Sequence, residues 1–253
     1  MFVEERRTQI LNILNNQGRC LVGDLARELD VTEVTIRQDL IFLERQGLLR
    51  RTHGGAMLNQ GIGYERPFRD EEPSFKAEKE RIAESALSLI NEGDTIILDV
   101  GTTLTELARK LSSLKKLTVI TNSLNIAVIL EECPEITTVV TGGTLRSTQH
   151  SLVNPFAGLV LERIHADLAF IGVAGIEAEH GLTNVNIPEA EMKAEFIRRA
   201  RRRVVLADSR KVGKMTMAKV ADVTEVDLLI TDTKADPAEV ERLRDRGLEV
   251  RMV

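Results

Sequence analysis

Asp94-Thr95-Ile96-Ile97-Leu98-Asp99-Val100-Gly101-Thr102-Thr103-Leu104-Thr105-Glu106-Leu107 decides the fold of the larger part of the chain. Residues 95–98 are a short β-branched apolar run, the pattern of a strand buried on both faces. Leu104, Leu107, Ala108 and Leu111 then recur at helical spacing. Between them Gly101 permits a sharp turn, and Thr102 or Thr103 can cap the new helix. A helix N-terminus with free N–H groups and hydroxyls suits an anion such as phosphate. Asp99 would repel phosphate but accepts hydrogen bonds from hydroxyls. An anion cradle beside a hydroxyl acceptor is what a phosphorylated sugar needs. An ordinary strand-turn-helix junction with a capping Thr accounts for the same residues.

Outward from this stretch, strands are predicted over residues 95–99, 117–121, 137–141, 168–172, 203–207, 227–231 and 248–252. Helices are predicted over 76–90, 103–111, 124–131, 153–164, 188–201 and 237–246. Such alternation predicts an α/β domain with a mostly parallel sheet over residues 77–253. Its ligands should bind beyond the carboxyl ends of the strands. Polar residues gather after five of them: Asp99, Gly101, Thr102 and Thr103; Thr121 and Asn122; Gly142, Gly143 and Arg146; Gly172 and Gly175; Asp208 and Lys211. Glycines let backbone approach a ligand, Asn and Thr bond hydroxyls, and Arg146 or Lys211 can neutralise a phosphate. Glu189 and Lys193 are four apart on a helix and read first as a surface ion pair, with Lys193 reaching the ligand as the alternative. The basic run over residues 198–203 reads as a solvated helix end. His150, His165 and His180 lack metal-ligand spacing and receive no role.

Residues 1–57 read differently. A helix carries Ile10, Leu11, Ile13 and Leu14 and stops at Gly18. A second carries Leu25, Ala26 and Leu29, and a third, capped by Thr32, runs to Gln46 before Gly47. This is a helix-turn-helix. Ile36, Leu40 and Leu43 face its core, so Val34, Gln38, Ile41 and Arg45 point away, flanked by Thr35 and Arg37. Gln38 can pair with adenine, Val34 or Thr35 can meet a thymine methyl, and the arginines suit guanine or phosphate. Two short strands around His53, Gly54 and Gly55 predict a wing, with Arg50 and Arg51 at its base. Eight Arg (6, 7, 19, 27, 37, 45, 50, 51) stand against eight Asp or Glu (4, 5, 24, 28, 30, 33, 39, 44), so this domain is neutral and should need two copies to bind DNA well. Residues 58–76, with Gly61, Gly63, Pro67 and Pro73, read as a linker that Phe68 and Phe75 could pin to a domain.

The composition is that of a globular protein, and a net charge of -5 argues against indiscriminate nucleic-acid binding. Cys20 and Cys133 read as packing residues in a reducing cytoplasm. The charged opening is unlike a signal peptide, and apolar runs such as residues 169–176 are too short to span a bilayer. A cytoplasmic protein without metal, cofactor or membrane is expected.

Residues 31–40, Leu43-Glu44, Leu48-Leu49 and Arg51-Thr52-His53-Gly54-Gly55-Ala56 resemble the DeoR/GlpR family of bacterial transcription regulators. So do residues 99–103, 121–127, 141–146, 189–193 and 208–211, so the likeness covers nearly the whole chain. It implies a winged helix-turn-helix domain followed by a sensor domain similar in fold to ribose-5-phosphate isomerase, binding a phosphorylated sugar without turnover. It places Asp99, Gly101, Thr102, Thr103, Thr121, Asn122, Gly142, Gly143, Lys193 and Lys211 around the pocket. The family run Thr-Ile-Arg-Arg-Asp-Leu is altered here by Gln38, and Val153-Asn154-Pro155 and residues 183–188 also depart from the family pattern. The expectation is a repressor of a carbohydrate operon, acting as a homodimer or homotetramer on operator DNA. The alternative is a sugar-phosphate isomerase using Asp99, Glu189, Lys193 and Lys211.

Overall fold

The structure, a computed structural model, describes residues 2–46, 48–58 and 65–253. The chain divides into two compact units, Met1–Arg66 and Pro67–Val253.

The first unit contains α1 (Val3–Gln17), β1 (Arg19–Leu21), α2 (Val22–Glu28), α3 (Glu33–Arg45), β2 (Leu49–Thr52) and β3 (Gly55–Leu58). Ile10, Leu14, Leu25, Ile36, Leu40, Leu43 and Leu49 form its core. The hydroxyl of Thr32 accepts the N–H of Thr35 at 3.2 Å and caps α3. The wing has a third strand: β1 pairs with β3, giving the order β1-β3-β2. That pairing explains Gly55, whose added Cβ would lie 2.1 Å from the Cys20 carbonyl oxygen. Asp39 lies buried on α3 and takes Arg6 Nε at 2.6 Å and Arg7 Nε at 2.9 Å, one on each oxygen. The Arg7 guanidinium also stacks 3.7 Å from the Phe42 ring centroid.

The second unit begins earlier than the sequence suggests. After α4 (Phe68–Glu71) comes α5 (Lys76–Leu87). Phe68 is buried, stacks on His150 at 5.6 Å and donates its N–H to Thr148 O at 2.9 Å. Residues 67–76 are thus packed chain and not linker, because one aromatic side chain finds a ring to cover it. Gly61 and Gly63 lie outside the described residues, as does Gly47.

The chain continues through β4 (Thr95–Leu98), α6 (Thr102–Lys110), β5 (Leu117–Thr121), α7 (Leu124–Glu131) and β6 (Ile136–Val140). A hairpin of β7 (Thr144–Arg146) and β8 (Ser151–Val153) leads to α8 (Ala157–Leu161), β9 (Ala166–Gly172), β10 (Gly175–Glu177) and β11 (Gly181–Asn184). Then come α9 (Ile187–Arg199), β12 (Ala200–Leu206), β13 (Ala218–Ala221), β14 (Leu228–Thr231), α10 (Pro237–Asp245) and β15 (Glu249–Met252).

Seven parallel strands stand in the order β15-β14-β12-β9-β4-β5-β6. Alternate residues serve opposite layers. Ile96, Leu98, Phe170 and Leu206 pack under α5, α6 and α7, while Ile97, Ile171, Val205 and Leu229 pack under α8, α9 and α10. The chain winds outward from β4 through β6, then returns to lay β9 on the other side of β4. The β4/β9 junction is therefore a topological switch point, where the loops diverge and leave a crevice.

Two readings of the sequence change. The helix expected over residues 153–164 shrinks to α8, with Val153 in β8. The basic run leaves the helix after Arg199, and Arg201 to Arg203 lie in β12, where Arg203 pairs with Asp227 at 2.8 Å. β10, β11 and β13 form a small antiparallel sheet that the sequence does not announce.

Removing one partner of a buried ion pair leaves the other charge uncompensated. Asp39→Ala is expected to destabilise the first unit by about 3–5 kcal/mol, a large share of the about 5–15 kcal/mol that holds a domain folded. Urea denaturation of the full chain should show an early transition absent from the wild type.

Candidate functional site

Asp99 stands at the carboxyl end of β4 and is fully buried. Its Oδ2 accepts Lys193 Nζ at 2.5 Å and the Gly172 N–H at 3.0 Å. One carboxylate oxygen thereby joins β4, β9 and α9 across the switch point. Burial pushes the Asp99 carboxyl up from its usual range, against the pull of Lys193. Its other oxygen, Oδ1, has no partner among the described residues, nor do the buried hydroxyls of Thr102 and Thr103 or Asn122 Oδ1. Buried polar atoms are normally paired, so four unpartnered oxygens on the turns after β4 and β5 stand out. Thr102 and Thr103 open α6, where the first N–H groups lack intrahelical acceptors. Gly101 enters that helix at φ 152°, which an L side chain rarely adopts.

Glu189 and Lys193 are both buried, so the surface ion-pair reading fails. Their i, i+4 spacing puts both on the inner face of α9. Glu189 Oε1 accepts Arg146 Nη1 at 2.5 Å and Ser151 Oγ at 2.6 Å, and Oε2 accepts Asn184 Nδ2 at 3.1 Å. Burial alone would raise the Glu189 pKa, but Lys193, the Ser151 hydroxyl and Arg146 outweigh it and hold the carboxyl low. Asn184 comes from the stretch that departs from the family pattern. Its neighbour Asn186 caps α9 by accepting the Glu189 N–H at 3.0 Å.

Other expected residues have structural work. The Thr121 hydroxyl accepts the Ser123 N–H at 3.0 Å and closes its own turn. Asn122 donates to Leu152 O at 3.2 Å, fastening β8 to the end of β5. Gly143 lies against β8, where a Cβ would meet Val153 O at 2.1 Å, and Gly142 turns at φ 71°. These two glycines are explained by backbone packing.

Lys211 sits after β12, two strands from Asp99, or about 10 Å at ordinary strand spacing. Its Nζ lies 3.9 Å from Asp208 Oδ2. Asp208 is fully buried; burial opposes its charge, but Lys211 and Arg210 hold its carboxyl far below the usual range. Arg210 bridges Asp208 to Glu71 at 2.5 Å and covers the Phe75 ring at 4.1 Å. Sequence reasoning missed the cation beside this group. Lys79 is buried on α5, with Nζ 2.5 Å from Glu71 O and 3.6 Å from its carboxylate. The signal was present: Lys79, Ile82, Ala83 and Ala86 lie on one helical stripe, so a lysine occupies a core position. Burial lowers its pKa to about 8, with Glu71 opposing and Lys211 lowering it further. Ser151 was also missed as a support of the crevice.

On the first unit, Val34, Arg37, Gln38 and Arg45 are exposed along one side of α3, with Thr35 half-buried. Arg37 pairs with Glu33 at 2.7 Å and Arg51 with Glu44 at 2.7 Å, both at the surface. Arg50, His53 and Gly54 are exposed on the wing. Among the described residues no His, Cys, Asp and Glu cluster could hold a metal, and no helix is long and apolar enough to cross a membrane.

A winged helix-turn-helix unit and an α/β unit with a polar crevice at its switch point define a two-part DNA-binding regulator. The chain belongs to the DeoR family of transcriptional regulators: residues 6–61 match the DeoR-like helix-turn-helix domain and residues 74–233 the DeoR C terminal sensor domain. It is 37% identical to the HTH-type transcriptional regulator GolR of Listeria innocua, over 100% of this chain and 99% of that protein. It is 34% identical to the lactose phosphotransferase system repressor of Streptococcus mutans, over 92% and 93%. Ribose 5-phosphate isomerase A of Methanocaldococcus jannaschii is similar over 55% of each chain, at 21% identity and a TM-score of 0.41. The full-length relatives are regulators, and the isomerase alternative is set aside.

Lys79 titrates below its ordinary value, so the unfolded chain binds more protons between pH 8 and 10.5. Its burial penalty is fully present below about pH 8 and fades as pH rises through that window. Compared with Lys79→Met, the wild-type second unit is expected to gain up to about 3 kcal/mol from pH 8 to 10.5. Parallel unfolding curves for the two proteins would contradict this.

Proposed function

We propose that this protein is a cytoplasmic repressor of a carbohydrate operon whose operator affinity is set by a phosphorylated sugar. The observation that carries the effector is the set of unpartnered oxygens on Asp99, Thr102, Thr103 and Asn122 beside Lys193. The opening turn of α6 with residues 101–103 receives the phosphate, and Asp99 and Asn122 receive sugar hydroxyls. Lys193, Glu189 and Arg146 hold the crevice in register, and Lys79 and Lys211 supply positive charge at its far edge. The relative named for the lactose phosphotransferase system supports a sugar-linked ligand. The operator is read by Val34, Thr35, Arg37 and Gln38 in the major groove. Arg45, Arg50, Arg51, His53 and Gly54 lie along the backbone. Two copies bind a pseudo-palindrome, and the ligand acts through its differential affinity for the arrangements that hold or release DNA.

A thermal-shift screen of phosphorylated sugars against their unphosphorylated parents tests the effector. At about 100 times its Kd, a ligand adds about 2.7 kcal/mol. Stabilisation is expected only with a phosphorylated compound and should vanish in Thr103→Asp. A response to the parent sugar would move the phosphate out of this turn.

The DNA face is tested apart from the ligand. Gln38→Ala is expected to cost about 1–3 kcal/mol of operator binding and to relax specificity at one base pair. Gel-shift titrations on operator and scrambled DNA report it, and undiminished selectivity would remove Gln38 from the readout.

A further inference from the structure

Glu71, on α4, is an anion held among cations. Its carboxylate takes Arg210 Nη2 at 2.5 Å and lies 3.6 Å from Lys79 Nζ. Arg210 reaches it from the turn after β12, and Lys79 from the N-terminal turn of α5. Lys211 and Lys214 follow Arg210 closely in the chain. Lys211 has only Asp208, 3.9 Å away, and the exposed Lys214 has no carboxylate within ion-pair distance among the described residues. The charges of Lys211 and Arg210 act on both Lys79 and Lys214, so the four cations lie around one space. Two buried carboxylates stand beside them: Asp208 against Arg210, and Asp232, which accepts the Ser209 N–H at 2.7 Å. Lys234 is already paired with Glu78 at 2.6 Å. Without Glu71, four cations face two carboxylates, an excess of two charges. One carboxylate does not balance that excess, whereas a phosphate group of charge about −1.5 to −2 does. Phe75, which joins α4 to α5 and lies 4.1 Å under Arg210, is held at φ 53°. Such a conformation is rare for an aromatic residue, and strain of this kind gathers at ligand sites and switches.

We propose that these cations form a second anion site, which Glu71 occupies here and which the second phosphate of a doubly phosphorylated sugar takes from it. The ligand class rests on the first phosphate lying at the α6 turn, as read above; the site itself does not. The spacing fits. β12 stands two strands from β4, about 10 Å. α5 leads into β4 and α6 leaves it, so both helices begin at the carboxyl edge of the sheet, packed side by side at about 8–10 Å. A six-carbon sugar with a phosphate at each end spans that distance. Glu71 and a phosphate cannot both hold Arg210 and Lys79. Binding therefore undocks α4, the first helix after the chain leaves the DNA-binding unit. That exclusion supplies the differential affinity through which a ligand shifts an equilibrium.

Calorimetric titration of the full chain with inorganic phosphate, at constant ionic strength, tests the site without a sugar. Glu71→Gln removes the competing anion and should tighten phosphate binding about tenfold, because a charge-assisted hydrogen bond no longer has to be broken. Lys211→Gln with Lys214→Gln should abolish that gain, and Thr103→Asp should not. Phosphate that binds Glu71→Gln no tighter than the wild type would overturn the second site and leave the α6 reading standing. A gain that survives the lysine changes, or is lost in Thr103→Asp, would overturn it too. If Glu71→Gln fails to fold, hydrogen exchange of wild-type residues 68–72 is compared in phosphate and in chloride. Exchange should be faster in phosphate, and equal exchange would refute the site. For the ligand class, fructose 1,6-bisphosphate and glucose 1,6-bisphosphate are titrated beside their 6-monophosphates. Only the bisphosphates should bind Glu71→Gln more tightly than the wild type. A monophosphate that gains as much has its one phosphate in this site, which would overturn both the ligand class and the α6 turn as the phosphate position. A gain for neither would overturn the ligand class alone.

Discussion

The second unit depends on the contact between Asp99 and Lys193. Each charge taken out of water costs several kcal/mol, and neither would survive burial alone. They are 94 residues apart in sequence, so the pair fixes the end of β4 to the inner face of α9. Gly172 adds an N–H from β9, and three elements then share one carboxylate oxygen. The compensation continues outward, as Glu189 lies near Lys193 and is itself held by Arg146, Ser151 and Asn184. Charges alternate in sign along this line, which keeps a buried polar cluster tolerable and its members in one geometry. An apolar replacement of similar volume could match it in stability. What such a replacement would lose is Asp99 Oδ1, an acceptor held rigid and unpaired at the point where two loops diverge.

The topology explains why the crevice lies there. The order β9-β4-β5 places the turn after β4 between loops that leave in opposite directions. β5 and its turn contribute Asn122, fastened through Leu152 to the β7–β8 hairpin. On the other side, the end of β12 carries Asp208, Arg210 and Lys211, tied through Glu71 to α4 and through Lys79 to α5. The first residues of the second unit are thus packed onto the edge of the sheet that bears the proposed site. Phe68 on His150 makes a second fastening, because His150 bonds Asn125 and leads directly into β8.

Much of this was legible in the sequence, for a physical reason. Strands buried on both faces read as continuous apolar runs, and the seven of the main sheet stand out between amphipathic helices. The short strands β7, β8, β10, β11 and β13 do not, because three or four residues carry no period and owe their pairing to distant partners. Glu189 and Lys193 misled because i, i+4 spacing is identical for a solvated pair and for two inward side chains; only Asp99, far away in sequence, separates the cases. Lys79 was hidden by its type, although its place on the apolar stripe of α5 gave it away. Residues 67–76 resembled a linker because two prolines mask a buried aromatic anchor.

The neutral charge of the DNA-binding unit looks different once its pairs are known. Arg6 and Arg7 are spent inside the fold, holding α1 to α3 through Asp39. Arg27, Arg37 and Arg51 pair with Asp24, Glu33 and Glu44 at the surface. Such exposed pairs contribute about 0–1 kcal/mol and exchange readily for a phosphate. Among the described residues Arg19, Arg45 and Arg50 have no carboxylate within ion-pair distance. Two of these, Arg45 at the end of α3 and Arg50 in β2, lie on the recognition helix and the wing. With few cations already free, phosphate contacts by this head first require these surface pairs to open.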